Sequence, residues 1–129
     1  MIDGVAALLD INLYNSYYYT LDAVFYRVKD VEHFDKDATY VKSIIVAFEH
    51  EHAINGSVIE MNTLQLFNAP LKVLVTYGDS AQRTEFLKKF ARIVKDADIF
   101  SDFSTHRKQL VIFGDKPAEK IQWYPFVYK

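Results

Sequence analysis

Two carboxylates and two imidazoles follow one another at the end of a long apolar run, in the stretch Val46 to His52 (VAFEHEH). Side chains alternate across a β-strand, so Glu49 and Glu51 are expected on one face and His50 and His52 on the other. Bringing charged groups to the edge of an apolar core is costly unless a metal, a partner or water compensates. The stretch is therefore the first candidate for chemistry.

A third carboxylate is expected beside this pair because of strand pairing. The segments Leu21 to Val28 and Thr39 to His52 are predicted to be strands, and a short polar loop between them would make an antiparallel hairpin. A loop centred midway places Asp22 opposite Glu49, with β-carbons about 4.5–5.5 Å apart. Glu51 follows about 6.6 Å further along the same face. Clustered carboxylates repel one another, and Mg²⁺ or Mn²⁺ bound by oxygen ligands would remove that conflict.

The histidines allow a second hypothesis for a metal site. His50 and His52 share one face of the predicted strand, so a histidine-centred protein that prefers zinc to magnesium is an alternative. No third ligand is evident in the sequence. Packing under a helix, or hydrogen bonding to neighbouring groups, is the other role open to these rings.

The elements that position these residues are predicted in the order α-β-β-α-β-α-β-β. The first helix begins at Asp3 and continues towards Tyr17, and the segment Lys29 to Asp37 is predicted to be a loop. After the two strands come a helix over about 57–67, a strand over 71–77, a helix over about 80–97 that Asp79 or Ser80 caps, and strands over 109–113 and 121–128. Pro125 places the last strand at a sheet edge. The pattern predicts an α/β fold with a mixed sheet between helices.

The sequence resembles the PD-(D/E)XK superfamily of metal-dependent nucleases, which has the restriction-endonuclease-like fold. The motif is formed by Asp22 at the start of one strand, Glu49-His-Glu51 at the end of the next, a helix, and the strand Lys72 to Tyr77. The resemblance covers about residues 1–94. It implies that Asp22, Glu49 and Glu51 are catalytic and bind the metal, with Glu51 at the position of the family's lysine.

The resemblance also implies accessory residues. An acidic residue that some members carry on the first helix matches Asp10, and a polar residue on the helix after the motif matches Gln65, with Asn62 and Glu60 as alternatives. Glu60 is also predicted to form a capping box with Ser57, which would explain it without catalysis. A third accessory candidate is His50, between the two glutamates.

Composition sets limits on the class of protein. The chain has 129 residues and no cysteine, which predicts a single domain over 1–129 in a reducing, intracellular (cytoplasmic) location. No apolar run reaches the roughly 20 residues needed to cross a bilayer, so a soluble protein without a membrane partner is expected. A net charge of −2 gives no global case for nucleic acid. The weak candidates for nucleic-acid contacts, otherwise a solvated basic face, are Lys88, Lys89, Arg92, Arg107 and Lys108.

The resemblance thus implies a metal-dependent nuclease that hydrolyses phosphodiester bonds of nucleic acid, with DNA as the expected substrate and Mg²⁺ or Mn²⁺ as the cofactor. Members of this class commonly cut DNA as dimers, so a homodimer is expected. The alternative is a catalytically inactive module with the same fold that binds nucleic acid or protein. The glutamate at the lysine position favours this alternative.

Overall fold

The computed structural model describes residues 2–14, 20–35, 38–99, 107–116 and 119–128. Within them the chain is an α/β protein with a six-stranded mixed sheet, as predicted. Helices and strands, in chain order, are α1 (Ile2–Leu8), β1 (Asn12–Tyr14), β2 (Ala23–Tyr26), β3 (Val31–Asp35), β4 (Ala38–Val41), β5 (Val46–Glu51), α2 (Ser57–Gln65), β6 (Leu71–Tyr77), α3 (Ser80–Ala97), β7 (Lys108–Asp115) and β8 (Gln122–Tyr128).

The main sheet has the strand order β1-β2-β5-β6-β7-β8. Its centre is parallel, since β5, β6 and β7 run in the same direction, while the two strands at each end pair in antiparallel fashion. The helix α2 connects β5 to β6, and α3 lies between β6 and β7. As predicted, the strand that contains Pro125 is at an edge. The carboxyl ends of the three parallel strands therefore share one end of the sheet.

The predicted register of β2 and β5 is confirmed, although the connection between them is not the predicted loop. Ala23 pairs with Phe48 and Val24 with Ala47, so the next step along the ladder places Asp22 beside Glu49. Between the strands the chain forms a turn of 3-10 helix and then the hairpin β3–β4, which is a separate sheet. The prediction of one strand over 39–52 was wrong, because alternation of apolar residues does not show where a chain changes its pairing partner.

The first helix is shorter than predicted. It ends at Leu8, and Asp10 follows in a left-handed backbone conformation with φ of 50°. The chain then enters β1, where Leu13 pairs with Phe25. The apolar spacing that predicted a longer helix is thus partly that of a strand, and Tyr17 lies outside the described residues.

Two apolar layers cover the two faces of the sheet unequally. The larger core lies under α2 and α3, where α3 begins with the predicted Asp79 cap: its carboxylate accepts a 2.9 Å hydrogen bond from the amide of Gln82. The other face is partly covered by α1. Beside α1 it has an apolar recess of about 250 Å³, lined by residues that include Val5, Phe48 and Leu110. None of the described helices combines the length and apolar character that crossing a membrane requires.

Candidate metal and acid–base site

Asp22 and Glu49 hold each other in place where β2 begins and β5 ends. The backbone amide of Asp22 donates to Glu49 Oε2 over 3.4 Å, and the amide of His50 donates to Asp22 Oδ2 over 2.8 Å. The carboxylate of each acid therefore accepts a hydrogen bond from a backbone amide of the segment that carries the other acid. The ladder between the strands fixes the spacing of the two acids.

Glu49 is the most perturbed acid in the described chain. Its side chain is only 2% exposed, and burial together with the charges of Glu60 and Asp22 raises its pKa from 4.5 to about 8. Its Oε1 atom is buried and has no hydrogen-bond partner. Burial and the neighbouring charges therefore favour the protonated, neutral form of Glu49 near neutral pH.

Glu60 on α2 belongs to this cluster, and the predicted capping box is wrong. The helix begins at Ser57, its N-cap is Gly56, and no side chain caps it; the Ser57 hydroxyl donates instead to the Ile54 carbonyl. Burial and the charges of Glu51 and Asp22 raise the pKa of Glu60, while its hydrogen bond with Glu49 opposes the shift. Glu60 is four residues before the buried Leu64, so the two side chains lie on the same face of α2, and this spacing in the sequence indicates that Glu60 faces the sheet.

Glu51 lies on the same face of the sheet as Glu49 but is engaged by the turn that precedes α2. Its Oε1 atom accepts a 2.7 Å hydrogen bond from the amide of Ala53. A β-carbon at Gly56 would lie 2.6 Å from Glu51 Oε2, so only glycine permits this approach. Beside Glu51, the buried Thr76 hydroxyl oxygen has no hydrogen-bond partner.

The acids at this site offer carboxylate oxygens, which are the kind of ligand that a hard divalent cation binds. Across the part of the chain that the structure describes, no three histidine or acidic side chains are arranged as a ready metal site. Carboxylate oxygens, one of them orphaned in a buried position, are nevertheless the ligands that Mg²⁺ and Mn²⁺ prefer. A cation at this position would have to displace the proton that burial favours on Glu49.

The two histidines lie on the opposite face of β5, as predicted. His50 Nε2 is 3.0 Å from the Tyr77 hydroxyl, and the His50 and His52 rings are 4.5 Å apart between centroids. Burial, followed by the neighbouring His52, lowers the pKa of His50. The accessory role of His50 is thus limited on this side to its backbone amide, which holds Asp22.

Gln65 lies in a separate polar cluster, so the structure does not bring it to the carboxylates. Its Nε2 donates to Gln109 Oε1 over 2.9 Å, and the buried ammonium of Lys72 donates to Gln65 Oε1 over 3.4 Å. Lys72 pairs with Ala47, one pleat before Glu49.

Asp10 is also remote from the site. It precedes Asn12, which pairs with Tyr26 at the other end of β2 from Asp22. It is a turn residue and not the helix residue that the resemblance implied.

The five basic candidates do not form one surface with the carboxylates. Lys89 pairs with Glu85, and Arg92 with Asp96, along α3, as a solvated helix face does. Lys88 is exposed on the same helix. Arg107 and Lys108 lie at the start of β7, where Lys108 pairs with Leu71, at the opposite end of the parallel strands.

Comparison of the chain with protein-family models, with characterised proteins and with solved structures finds no match.

Proposed function

We propose that this protein is a divalent-metal-dependent nuclease that hydrolyses phosphodiester bonds of nucleic acid, with DNA as the expected substrate. The observation that carries the proposal is the buried Glu49, which has an orphaned oxygen and a pKa of about 8 beside Asp22 and Glu60. A strongly perturbed acid with specific charged partners is more typical of a functional site than of a core. An intracellular location and a homodimer remain part of this proposal.

The order of the main-chain elements supports the resemblance. Two antiparallel strands, β2 and β5, are followed by α2 and the parallel strand β6. This order puts an aspartate and a glutamate from neighbouring strands at one end of the sheet. We infer a restriction-endonuclease-like arrangement in which the β3–β4 hairpin is an addition between the two acidic strands.

In this proposal Asp22, Glu49 and Glu60 are the residues that would hold Mg²⁺ or Mn²⁺. When bound, the cation would acidify a water and balance charge on the phosphate. Asp22 and Glu49, held at a fixed spacing by the strand ladder, would be its ligands, and Glu49 would bind it in the ionised form. Glu51, at the position of the family's lysine, accepts the proton of the attacking water or remains a part of the turn.

The test is cleavage of a mixed panel of plasmid, linear duplex, four-way junction, single strand and RNA with Mg²⁺, Mn²⁺ or EDTA. Wild type is expected to cut at least one substrate with metal and none in EDTA. The Asp22→Asn and Glu49→Gln variants keep the size of each side chain and should lose about 100-fold or more of the rate, since each removes a charged ligand. Metal-dependent cutting that survives in both variants would contradict the proposal.

The second candidate is an inactive module of the same fold. Two observations favour it: a glutamate, Glu51, stands at the position of the family's lysine, and no set of three ligands is preformed among the described residues. If wild type binds nucleic acid without cutting any substrate in either metal, this candidate replaces the first.

A further inference from the structure

The end of the sheet that carries the carboxylates also carries a row of aromatic rings on its opposite face. Tyr77 lies between His52, with ring centroids 5.8 Å apart and an interplanar angle of 19°, and Trp123, at 5.9 Å and 54°. The row crosses β5, β6, β7 and β8 in register, since Tyr77 pairs with Gly114 and Gly114 with Trp123. We call His52, Tyr77 and Trp123 the aromatic row.

Gly114 lies directly beneath the rings of Tyr77 and Trp123. A β-carbon there would lie 2.6 Å from two carbons of the Tyr77 ring and 3.0 Å from the Trp123 indole. The rings therefore lie over bare backbone, and the close approach is possible only because the residue between them has no side chain. A second contact orients Tyr77, whose hydroxyl lies 3.0 Å from His50 Nε2.

The aromatic row is open to solvent. Trp123 is 44% exposed, and its indole forms one wall of an apolar recess of about 290 Å³ that is completed by Val75, Ile112 and Pro125. The row shares its face of the sheet with the smaller of the two cores, which includes Val75, but neither Tyr77 nor Trp123 belongs to that core. Such an exposed surface is typical of a binding site for a flat, partly apolar group.

The position of the aromatic row links it to the acidic residues. Glu49 and Glu51 alternate with His50 and His52 along β5, so one strand end presents acids to one face and rings to the other. A nucleic-acid strand that passes around this end of the sheet would contact both the acids and the rings. The basic residues Arg107 and Lys108, which would suit a duplex backbone, lie at the far end of the sheet.

We propose that the aromatic row stacks an unpaired base of the nucleic acid whose phosphodiester reaches the carboxylates, so that the substrate class is single-stranded or locally unpaired. This inference rests on the proposed function. Stacking on aromatic side chains requires a free face of the base, and a base inside a duplex has both faces covered.

The experiment is a titration in EDTA, so that cleavage plays no part. Trp123 is the only tryptophan in the chain, and its fluorescence reports directly on the row. The probes are an oligothymidylate, a blunt duplex of two complementary strands and the same duplex with a single-stranded tail. The first and third are expected to quench Trp123 strongly, and the blunt duplex is not.

Variants then identify the residues, with binding followed by the anisotropy of the labelled oligothymidylate. Trp123→Leu and His52→Leu should each weaken binding by about tenfold. Val127→Ala is the matched control, because Val127 is exposed on the same face of β8 and outside the row. It should bind as wild type does.

Three outcomes would overturn the inference. These are equal binding of the blunt duplex, wild-type affinity in Trp123→Leu, or a Trp123 signal that depends on protein concentration alone, which would mean that a second copy covers the row. Because no metal is present, a failure to cleave leaves this result intact and counts only against the proposed nuclease activity.

Discussion

The Asp22 carboxylate accepts a hydrogen bond from the backbone of β5, and the Asp22 amide donates to the side chain of Glu49. Two acids that repel each other are thus tied together by the backbone groups between them. Protonation of Glu49 relieves the repulsion between them, because its pKa is raised to about 8.

The first prediction concerns which glutamate completes the acidic set. Glu60 interacts with Glu49 directly, whereas Glu51 is bonded to the turn at Ala53. Glu60→Gln should therefore lower the cleavage rate by about 100-fold, and Glu51→Gln by less. Steady-state cleavage of the best substrate measures both. A larger loss in Glu51→Gln would restore the assignment that the resemblance implied.

The second prediction is the pH dependence of stability without metal. The folded protein holds a proton on Glu49 up to about pH 8, whereas the unfolded chain releases it near 4.5. This contribution is present below the lower value and is lost as pH rises through the upper one. Urea unfolding should show the free energy falling on the order of a few kcal/mol across that window.

The matched control for this pH dependence is Glu49→Gln, which cannot ionise. Its stability should vary less across the same window, with the remaining slope due partly to Glu60, whose pKa is also raised. Parallel curves for wild type and the variant would contradict the assignment of the shift to Glu49.

The third prediction is metal-dependent stabilisation. An ion that binds only the folded state at 100 times its Kd adds about 2.7 kcal/mol, and the effect should grow as pH rises because Glu49 must lose its proton. Thermal unfolding with Mg²⁺, Mn²⁺ and Zn²⁺ measures it. Asp22→Asn should remove the effect, and His50→Ala should keep it. Stabilisation by zinc alone that His50→Ala abolishes would favour the histidine-centred site.

The fourth prediction is that Gln65 contributes to stability and not to catalysis. Gln65→Leu removes partners of the buried Lys72 and Gln109, which should destabilise the protein by about 1–3 kcal/mol. The cleavage rate of the folded fraction should stay near that of wild type. Asn62→Leu, on the same helix, is the comparison. A large loss of rate in a stable Gln65 variant would place this side chain in the site.

The sequence predicted the part of the fold that depends on periodicity and caps. The buried strand β6, the helix α3 with its Asp79 cap, and the pairing of Asp22 with Glu49 were all accessible, because apolar alternation and loop symmetry carry that information. These features also located two of the acids in the site.

The sequence did not predict features that depend on tertiary pairing. Nothing local shows that Ala38–Val41 leaves the main sheet, or that Ser57 begins its helix instead of capping it. Glu60 is predicted to form a cap, with an accessory role as the alternative, because a cap involves only four neighbouring residues. Its interaction with Glu49 depends instead on the packing of α2 on β5. The aromatic row was missed for the same reason, since it joins four strands.

The β3–β4 hairpin has a consequence for how the protein could be altered. It pairs with itself, while the ladder from Ala23 to Phe25 holds the two acidic strands. The entropy of closing such a connection rises only with the logarithm of its length. The segment can therefore be exchanged for a longer insert, even a whole second domain, while the distance between Asp22 and Glu49 stays fixed. This position is the natural point for grafting a targeting module onto the chain.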